Sequence, residues 1–243
     1  MKSYILKRHK WICGSNPSCS LTHLNPRVVG LIGLMTVVLS VFASVFEYFP
    51  GDIAVSNWVQ SLKTPWLDTI MELISIFGDT IPQFIISVAI SGIIFLRIGR
   101  LESVILGGGI GAAFILNKIL KFVIDRPRPD FSLVEVATNL SSASFPSGHV
   151  MHMTVLLGVL TLLVQKKVNN KYLRIGLILL FLNLWGFTAL SRIYLGLHWP
   201  SDVLGGFCWG ITALYLVFLV YKKTIHGRNE SNVSLLDITK RNE

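Results

Sequence analysis

The chain has 243 residues, of which 52% are hydrophobic and only 14% are charged. Soluble proteins carry about 25% charged residues, so this composition excludes a soluble enzyme, and an aromatic content of 11% excludes a disordered chain. The net charge of +9 is compatible with binding to a nucleic acid, to an anionic membrane surface or to an anionic substrate. Which of these applies depends on where the charged residues lie along the chain. The three cysteines, Cys13, Cys19 and Cys208, are an odd number and indicate no disulfide framework.

Long apolar runs recur along the chain, and each approaches or reaches the roughly 20 residues that a helix needs to cross a bilayer. There are six, at about residues 28–46, 81–96, 103–124, 149–164, 175–190 and 203–221. The sequence therefore predicts an all-α integral membrane bundle of six transmembrane helices over residues 28–221. An N-terminal segment of residues 1–27 precedes it and a tail of residues 222–243 follows it. The first run exceeds the 7–15 apolar residues of a signal peptide, which favours a retained helix over a cleaved one.

The basic residues are concentrated on one side of this predicted bundle. An even number of spans places both termini on the same side, and the segments on that side hold 16 of the 22 Lys and Arg residues but only four of the 13 acidic ones. Because basic residues favour the cytoplasmic side, we expect a multi-pass protein of the cell membrane with both terminal segments in the cytoplasm. Topology then explains the positive charge, so no nucleic-acid partner is expected.

Residues 47–80 join the first two runs on the opposite, external side. Within this segment Trp66, Ile70, Leu73, Ile74 and Phe77 recur at helical spacing. The pattern predicts a short interfacial helix. We expect this helix to pack over the top of the bundle, and a role in gating a substrate is the less favoured alternative.

Basic residues also cluster at the external end of the third run. Lys121 ends that run, and Arg126 and Arg128 follow on a segment that two prolines stiffen. Guanidinium and ammonium groups held together on a rigid segment suit a multiply charged phosphate. Because charges near hydrocarbon are costly to place, such a cluster indicates a functional site. Lys118, one helical turn earlier, is expected to snorkel or to pair internally, and direct contact with the phosphate is the less favoured alternative.

A second motif, Pro146-Ser147-Gly148-His149, opens the fourth run. A helix N-terminus offers unpaired N–H groups and the positive end of the helix dipole, which together attract anions. Ser147 can cap the helix or donate its hydroxyl, and Gly148 allows a close approach of backbone to an oxyanion. His149, in the first turn, can donate or accept a proton. Taken alone, this motif is more typical of helix capping than of catalysis.

A third motif joins the fifth and sixth runs and contains Ser191, Arg192, His198 and Asp202. Asp202 follows His198 by four residues, so its carboxylate can accept a hydrogen bond from the imidazole ring. That bond would fix the tautomer and leave the other ring nitrogen free to attack. The alternative role of Asp202, as a cap of the last helix, is compatible with this one.

The three motifs together resemble the signature of the type 2 phosphatidic acid phosphatase (PAP2) superfamily. They are Lys-x6-Arg-Pro from Lys121, Pro-Ser-Gly-His from Pro146, and Ser-Arg-x5-His-x3-Asp from Ser191. Each motif is weak alone, but all three in this order at the ends of three predicted helices are specific. The bacterial phosphatidylglycerophosphatase B and undecaprenyl-diphosphate phosphatase types are most similar. The resemblance implies a membrane lipid phosphatase.

The resemblance also implies a role for each matching residue. His198 is then the nucleophile that forms a phosphohistidine, Asp202 orients it, and His149 protonates the leaving oxygen and later activates water. The phosphoryl oxygens are then held by Lys121, Arg128, Ser147, Gly148 and Arg192. Arg126 occupies a variable place inside the first motif and is expected only to support the phosphate.

A metal site is the alternative use of these histidines. His152 lies three residues after His149, and with His198 and Asp202 it would complete a zinc ligand set. Nearby cations would repel a divalent metal, so we expect no metal and no other cofactor.

Two further functions remain to be weighed. A transporter would carry ionisable residues near the bilayer midplane and paired, broken helices, and neither pattern is evident in the sequence. A lipid phosphotransferase would use the same site, and the sequence does not distinguish it from a hydrolase. The expected partners are the bilayer and a lipid phosphate. Undecaprenyl diphosphate is favoured because the site faces outward, and phosphatidylglycerol phosphate and phosphatidate follow closely.

Overall fold

The computed structural model describes residues 26–97, 100–138 and 140–241. The predicted N-terminal segment lies outside these residues apart from its last two. The described chain forms eight helices and contains no strand, as expected for an all-α protein. They are α1 (Pro26–Val45), α2 (Asp52–Gln60), α3 (Pro65–Gly78), α4 (Thr80–Arg97), α5 (Arg100–Ile124), α6 (Gly148–Lys167), α7 (Lys171–Tyr194) and α8 (Pro200–Arg241).

Five of the described helices, α1, α5, α6, α7 and α8, are each long and apolar enough to cross a bilayer. Helix α4 covers the predicted second span, but it meets this condition only together with α3, to which it is joined at a bend of 58°. Counting that bent pair as one span gives up to six, which confirms the predicted membrane bundle. Large apolar side chains such as Leu96 and Phe122 are 77% and 86% exposed on its outer surface, where lipid would cover them. Helix α8 continues as far as Arg241, through most of the predicted tail.

The segment between the first two predicted spans contains two helices, α2 and α3, where the sequence predicted one. The predicted apolar stripe lies on α3, but Trp66, Leu73 and Phe77 on that stripe are 66%, 52% and 66% exposed. The side chain that anchors α3 is Met71, which is fully buried and belongs to a cluster with Val59 and Tyr194. Helix α3 therefore packs on the bundle against α7, as expected, but it does so through Met71, while much of the predicted apolar stripe stays exposed. In a membrane, lipid tails can cover an apolar stripe as well as protein can.

Helix α6 lies in the middle of the bundle and packs against α5, α7 and α8. The contact with α8 is close because a Cβ at Gly206 would lie 2.6 Å from the Ser147 carbonyl oxygen, and one at Gly210 would lie 2.6 Å from the Cβ of Thr154. The first turns of α6 and α8 consequently lie side by side, and the Ser147 N–H donates to the Asp202 carbonyl at 3.0 Å. This packing brings the second and third sequence motifs together.

The loop between α5 and α6 is fixed against the α7–α8 connection. The Ala137 N–H donates to the Leu195 carbonyl at 2.9 Å. Gly196 next to it has a φ of +65°, and a Cβ there would lie 1.9 Å from the Glu135 carbonyl oxygen, so no larger residue fits. The first motif is thereby held close to His198.

Candidate active site

Most of the predicted site residues line one cavity of about 490 Å³. Its walls come from the bend between α3 and α4, from α5, from the start of α6, from the α5–α6 loop and from the α7–α8 connection. The predicted residues that line it are Lys121, Arg128, Gly148, His149, Arg192 and His198. Ser147, Asp202 and Arg126 lie outside its lining, and all three are almost fully buried.

His198 presents one ring nitrogen to the protein and the other toward the cavity cations. Its Nδ1 lies 3.4 Å from the Ser144 hydroxyl and 3.6 Å from a carboxylate oxygen of Asp202. Its Nε2 lies 3.4 Å from a guanidinium nitrogen of Arg128. With the proton on Nδ1, the Nε2 lone pair is directed toward the place where an anion would bind.

The environment of His198 favours the neutral imidazole. Burial, together with the neighbouring cations Arg128, Lys121 and Arg192, holds the pKa of His198 well below its usual value. A neutral ring is a nucleophile at neutral pH, whereas an imidazolium is not.

Asp202 is fully buried, and hydrogen bonds hold its carboxylate in place. It accepts from the Ser144 hydroxyl, from the Trp199 N–H at 2.9 Å and from the Arg126 guanidinium. Ser144 therefore bridges Asp202 and His198, and three donors besides the histidine fix the orientation of the carboxylate.

Arg126 lies behind Asp202, away from the cavity. Its guanidinium donates to Asp202, to Asp52 at 3.1 Å and to the Ser201 hydroxyl at 2.8 Å. Its Nε donates to the carbonyls of Phe46 and Glu47. Every guanidinium nitrogen is thus paired within the protein. This placement contradicts the expectation that Arg126 supports the phosphate, because burial between two carboxylates holds it away from the cavity.

Three cations, Lys121, Arg128 and Arg192, approach the cavity from different elements. Lys121 donates to the Ala143 carbonyl, and Arg128 donates to the carbonyls of Ser142 and Leu197. Arg192 is 2% exposed, and its Nη2 has no hydrogen-bond partner in the described chain. Three positive charges around one buried space make it suitable for a multiply charged anion.

The N-terminus of α6 lies at the same cavity. Ser147 occupies the N-cap position, but its hydroxyl makes no capping hydrogen bond and, although buried, has no partner in the described chain. A Cβ on Gly148 would lie 2.9 Å from the side-chain oxygen of Asn117, so a larger residue here would require the Asn117 side chain to move. Helix N–H groups here can bind an anion.

His149 faces the bend between α3 and α4. Its Nε2 lies 3.1 Å from a carboxylate oxygen of Asp79. His152, one turn further along α6, stacks on Phe114 with ring centroids 3.6 Å apart, and its buried Nε2 has no partner within the described residues. Lys118 lines the cavity and makes no hydrogen bond or ion pair in the described part of the chain, so the internal pairing considered for it is not seen.

Ser144 and Asp79 are two side chains in polar contact with the predicted histidines that the sequence motifs did not include. Ser144 lies in an irregular loop, where nothing in the local pattern distinguishes it from its serine neighbours. Asp79 did carry a signal, because Gly78 and Asp79 interrupt an apolar stretch between two helical patterns. An acidic partner for His149 could have been sought there.

The chain is similar to a known protein family and to several of its members. The model of the PAP2 superfamily matches residues 102–226. Phosphatidylglycerophosphatase B of Bacillus subtilis (strain 168) is 31% identical over 174 residues, which cover 69% of this chain and 81% of that protein. The decaprenylphosphoryl-5-phosphoribose phosphatase of Mycobacterium tuberculosis is 31% identical over 165 residues, which cover 67% of this chain and 86% of that protein.

A solved structure shares the fold. The crystal structure of a transmembrane PAP2 type phosphatidylglycerolphosphate phosphatase from Bacillus subtilis superimposes with a TM-score of 0.70 at 28% identity. It covers 80% of this chain, and this chain covers 96% of it. The chain therefore belongs to the PAP2 superfamily and is a multi-pass membrane protein that hydrolyses phosphoric esters.

Proposed function

We propose that this enzyme dephosphorylates a membrane lipid phosphate through a phosphohistidine on His198. The observation that carries the proposal is the orientation of that ring. Its Nδ1 side faces Ser144 and Asp202, and its Nε2 faces the cations of the cavity. In the first step Nε2 forms a bond to phosphorus while the bond from phosphorus to the leaving oxygen breaks.

The phosphoryl oxygens bind to the cations and to the start of α6. Lys121, Arg128 and Arg192 neutralise the charge. The Nη2 of Arg192, which has no partner among the described residues, is a donor available to one oxygen. The Ser147 hydroxyl and the backbone N–H of Gly148 complete the site in this proposal. Because these groups are fixed before substrate arrives, little reorganisation is needed in the transition state.

His149 supplies the proton that the leaving oxygen needs. Its imidazolium gives one N–H proton to that oxygen as the P–O bond breaks, and the ring becomes neutral. The neutral ring then takes a proton from a water molecule, whose oxygen attacks phosphorus and releases inorganic phosphate from His198. Asp202 remains ionised and keeps the proton of His198 on Nδ1.

The substrate we favour is undecaprenyl diphosphate. The Mycobacterium relative is named for a polyprenyl phosphate, and the Bacillus relative for a glycerophospholipid phosphate, so both lipid classes deserve a test. Our preference for the diphosphate rests on Lys118. This cation lies on the cavity wall one turn deeper than Lys121 and has no partner among the described residues. A second phosphate, next to the lipid tail, would find its counter-charge there.

The proposed site faces the outside of the cell. The support is the distribution of basic residues in the sequence, which favours a cytoplasmic location of the opposite end of the bundle. Lipid diphosphate exposed in the outer leaflet would then reach the cavity without crossing the membrane.

The experiment is a comparison of kcat/KM for purified enzyme on undecaprenyl diphosphate, undecaprenyl phosphate, phosphatidylglycerol phosphate and phosphatidate. The proposal expects the diphosphate to be the best substrate, with one inorganic phosphate released for each lipid converted. Failure to turn over any of these lipids would refute the proposed function. Transfer of the phosphoryl group to another lipid would identify a phosphotransferase instead.

The role of Lys118 has its own matched test. Lys118→Gln should lower kcat/KM for undecaprenyl diphosphate about tenfold and change kcat/KM for undecaprenyl phosphate far less. A tenfold loss corresponds to roughly 1.4 kcal/mol, the contribution of one charge-assisted contact. Lys63→Gln is the control, because Lys63 pairs with Glu135 outside the cavity lining. An equal loss on both substrates would exclude Lys118 as the ligand of the second phosphate.

A further inference from the structure

The bend between α3 and α4 forms a fixed support for the ring of His149. A Cβ at Gly78 would lie 2.4 Å from Cδ2 of His149, so the ring lies directly against the backbone at this point. The Asp79 N–H donates to the Ile76 carbonyl at 3.1 Å, and the Asp79 carbonyl accepts from the Gln83 N–H at 3.0 Å. Asp79 thus ends one helix and begins the next, and its backbone is held from both sides.

The side chain of Asp79 is directed at His149. The Asp79 Oδ1 lies 3.1 Å from the His149 Nε2, and both residues line the cavity. Of the described residues in this lining, Asp79 alone is acidic. A carboxylate repels a phosphate, so Asp79 by itself weakens the binding of an anion in this cavity. The geometry indicates that Asp79 acts instead through its contact with His149.

We propose that Asp79 is a positioning residue that holds His149 at the leaving-group end of the cavity, an inference that rests on the function proposed above. The carboxylate accepts a ring N–H and so fixes where the imidazole lies against Gly78. It also offsets the repulsion between a positive imidazole ring and Arg192 across the cavity. When the P–O bond breaks, the imidazolium gives one proton to the ester oxygen and becomes neutral, while Asp79 stays ionised.

A purely structural role for Asp79 makes a different prediction. If Asp79 only fixed the angle between α3 and α4, its loss would disturb the cavity for every substrate alike. If it acts through His149, its loss should matter most where the leaving group needs a proton. An alkyl alkoxide needs one, whereas a nitrophenolate is stable enough to leave without it.

The test compares Asp79→Asn with wild type on two phosphate monoesters, a long-chain alkyl phosphate and p-nitrophenyl phosphate. We compare kcat/KM, which reports only the steps up to phosphoenzyme formation and excludes the later attack of water that both esters share. We expect kcat/KM for the alkyl ester to fall about tenfold or more, a part of the 10²- to 10⁴-fold that general acid catalysis contributes. The kcat/KM for the aryl ester should change by less than about threefold. His149→Asn should show the same selectivity with a larger loss, and Asp79→Glu should recover part of the activity.

Glu72→Gln is the matched control, since it removes one exposed carboxylate from the same helix, α3, and should change neither ester. An equal loss on both esters, or full alkyl activity in Asp79→Asn, would overturn the inference. If Asp79→Asn does not fold, the ratio of alkyl to aryl activity is measured in Asp79→Ser with the same two outcomes. A folded wild type that hydrolyses no lipid phosphate would instead overturn the proposed function.

Discussion

Replacing Arg126 by methionine should destabilise the protein strongly, although Arg126 lies only two residues from a cation of the cavity. The Arg126 side chain is fully buried between Asp52 and Asp202, which are 4% and 0% exposed. Methionine fills much of the volume but leaves both carboxylates without their cation. It also leaves the Phe46 and Glu47 carbonyls without their donor.

The expected loss follows from these contacts. Removing one partner of a buried ion pair costs about 3–5 kcal/mol, because the remaining charge stays buried without compensation. For a chain of this size, about 2–4 °C of Tm is lost per kcal/mol, so we expect a decrease of roughly 6–20 °C in a mild detergent. The assay is thermal unfolding followed by circular dichroism at a pH near neutrality.

Arg128→Met is the matched control for this experiment. Arg128 faces the cavity beside His198 and is surrounded by other cations, so its loss relieves repulsion while it removes a few loop hydrogen bonds. We expect kcat/KM to fall by at least about 100-fold, as for other groups that stabilise transition-state charge, and Tm to change much less than in Arg126→Met. The reasoning would be refuted if Arg126→Met kept its Tm and instead raised KM, because Arg126 would then contact the substrate.

Three further predictions concern the chemistry and sidedness of the site. Because the pKa of His198 lies well below its usual value, this ring becomes protonated, and stops acting as a nucleophile, only at correspondingly low pH. The acid-side loss of kcat/KM for p-nitrophenyl phosphate should therefore move to higher pH in Arg128→Met, which removes a neighbouring cation, and an unchanged profile would contradict this account. Exhaustive dialysis against EDTA should leave activity intact while vanadate inhibits, whereas activity restored specifically by Zn²⁺ or Mg²⁺ would establish a metal. After removal of Cys13, Cys19 and Cys208, a cysteine in Ser141→Cys should react with an impermeant maleimide in intact cells, and one in Asn169→Cys only after permeabilisation. The reverse labelling pattern would overturn the proposed orientation.

The helical bundle was predictable because its signal is local. A run of apolar residues specifies a membrane helix without any knowledge of its neighbours, and the predicted spans match α1 and α5–α8. The second span was harder, because α4 alone is short and depends on α3 across a bend at Gly78 and Asp79. The exposure of Trp66 and Phe77 also could not be read from periodicity, since an apolar stripe can face lipid as well as protein.

The candidate site was predictable in composition but not in arrangement. The cavity brings together cations and histidines from three separate motifs. The family resemblance ranked Arg128 above Arg126, but the local pattern could not show which guanidinium faces the cavity, because both are arginines before prolines on one short segment. The packing of α2 against α8 brings Asp52 to Ser201 and Arg126. Only this packing shows that the guanidinium of Arg126 faces the protein interior and not the cavity. A single sequence does not specify pairings across long separations, such as that of Asp79 with His149, even though the break in the apolar pattern at Gly78 and Asp79 marks one of the two positions.

The most direct test of the central claim is to identify the residue that carries the phosphoryl group during turnover. Enzyme mixed with a ³²P-labelled lipid phosphate is quenched at alkaline pH, where phosphohistidine survives, and the labelled peptide is sequenced by mass spectrometry. The account predicts a label on Nε2 of His198 in wild type and none in folded His198→Gln, whose turnover should be below about one part in 10³. A label on another residue, or residual activity above about 10% in His198→Gln, would contradict the assignment of His198 as the nucleophile.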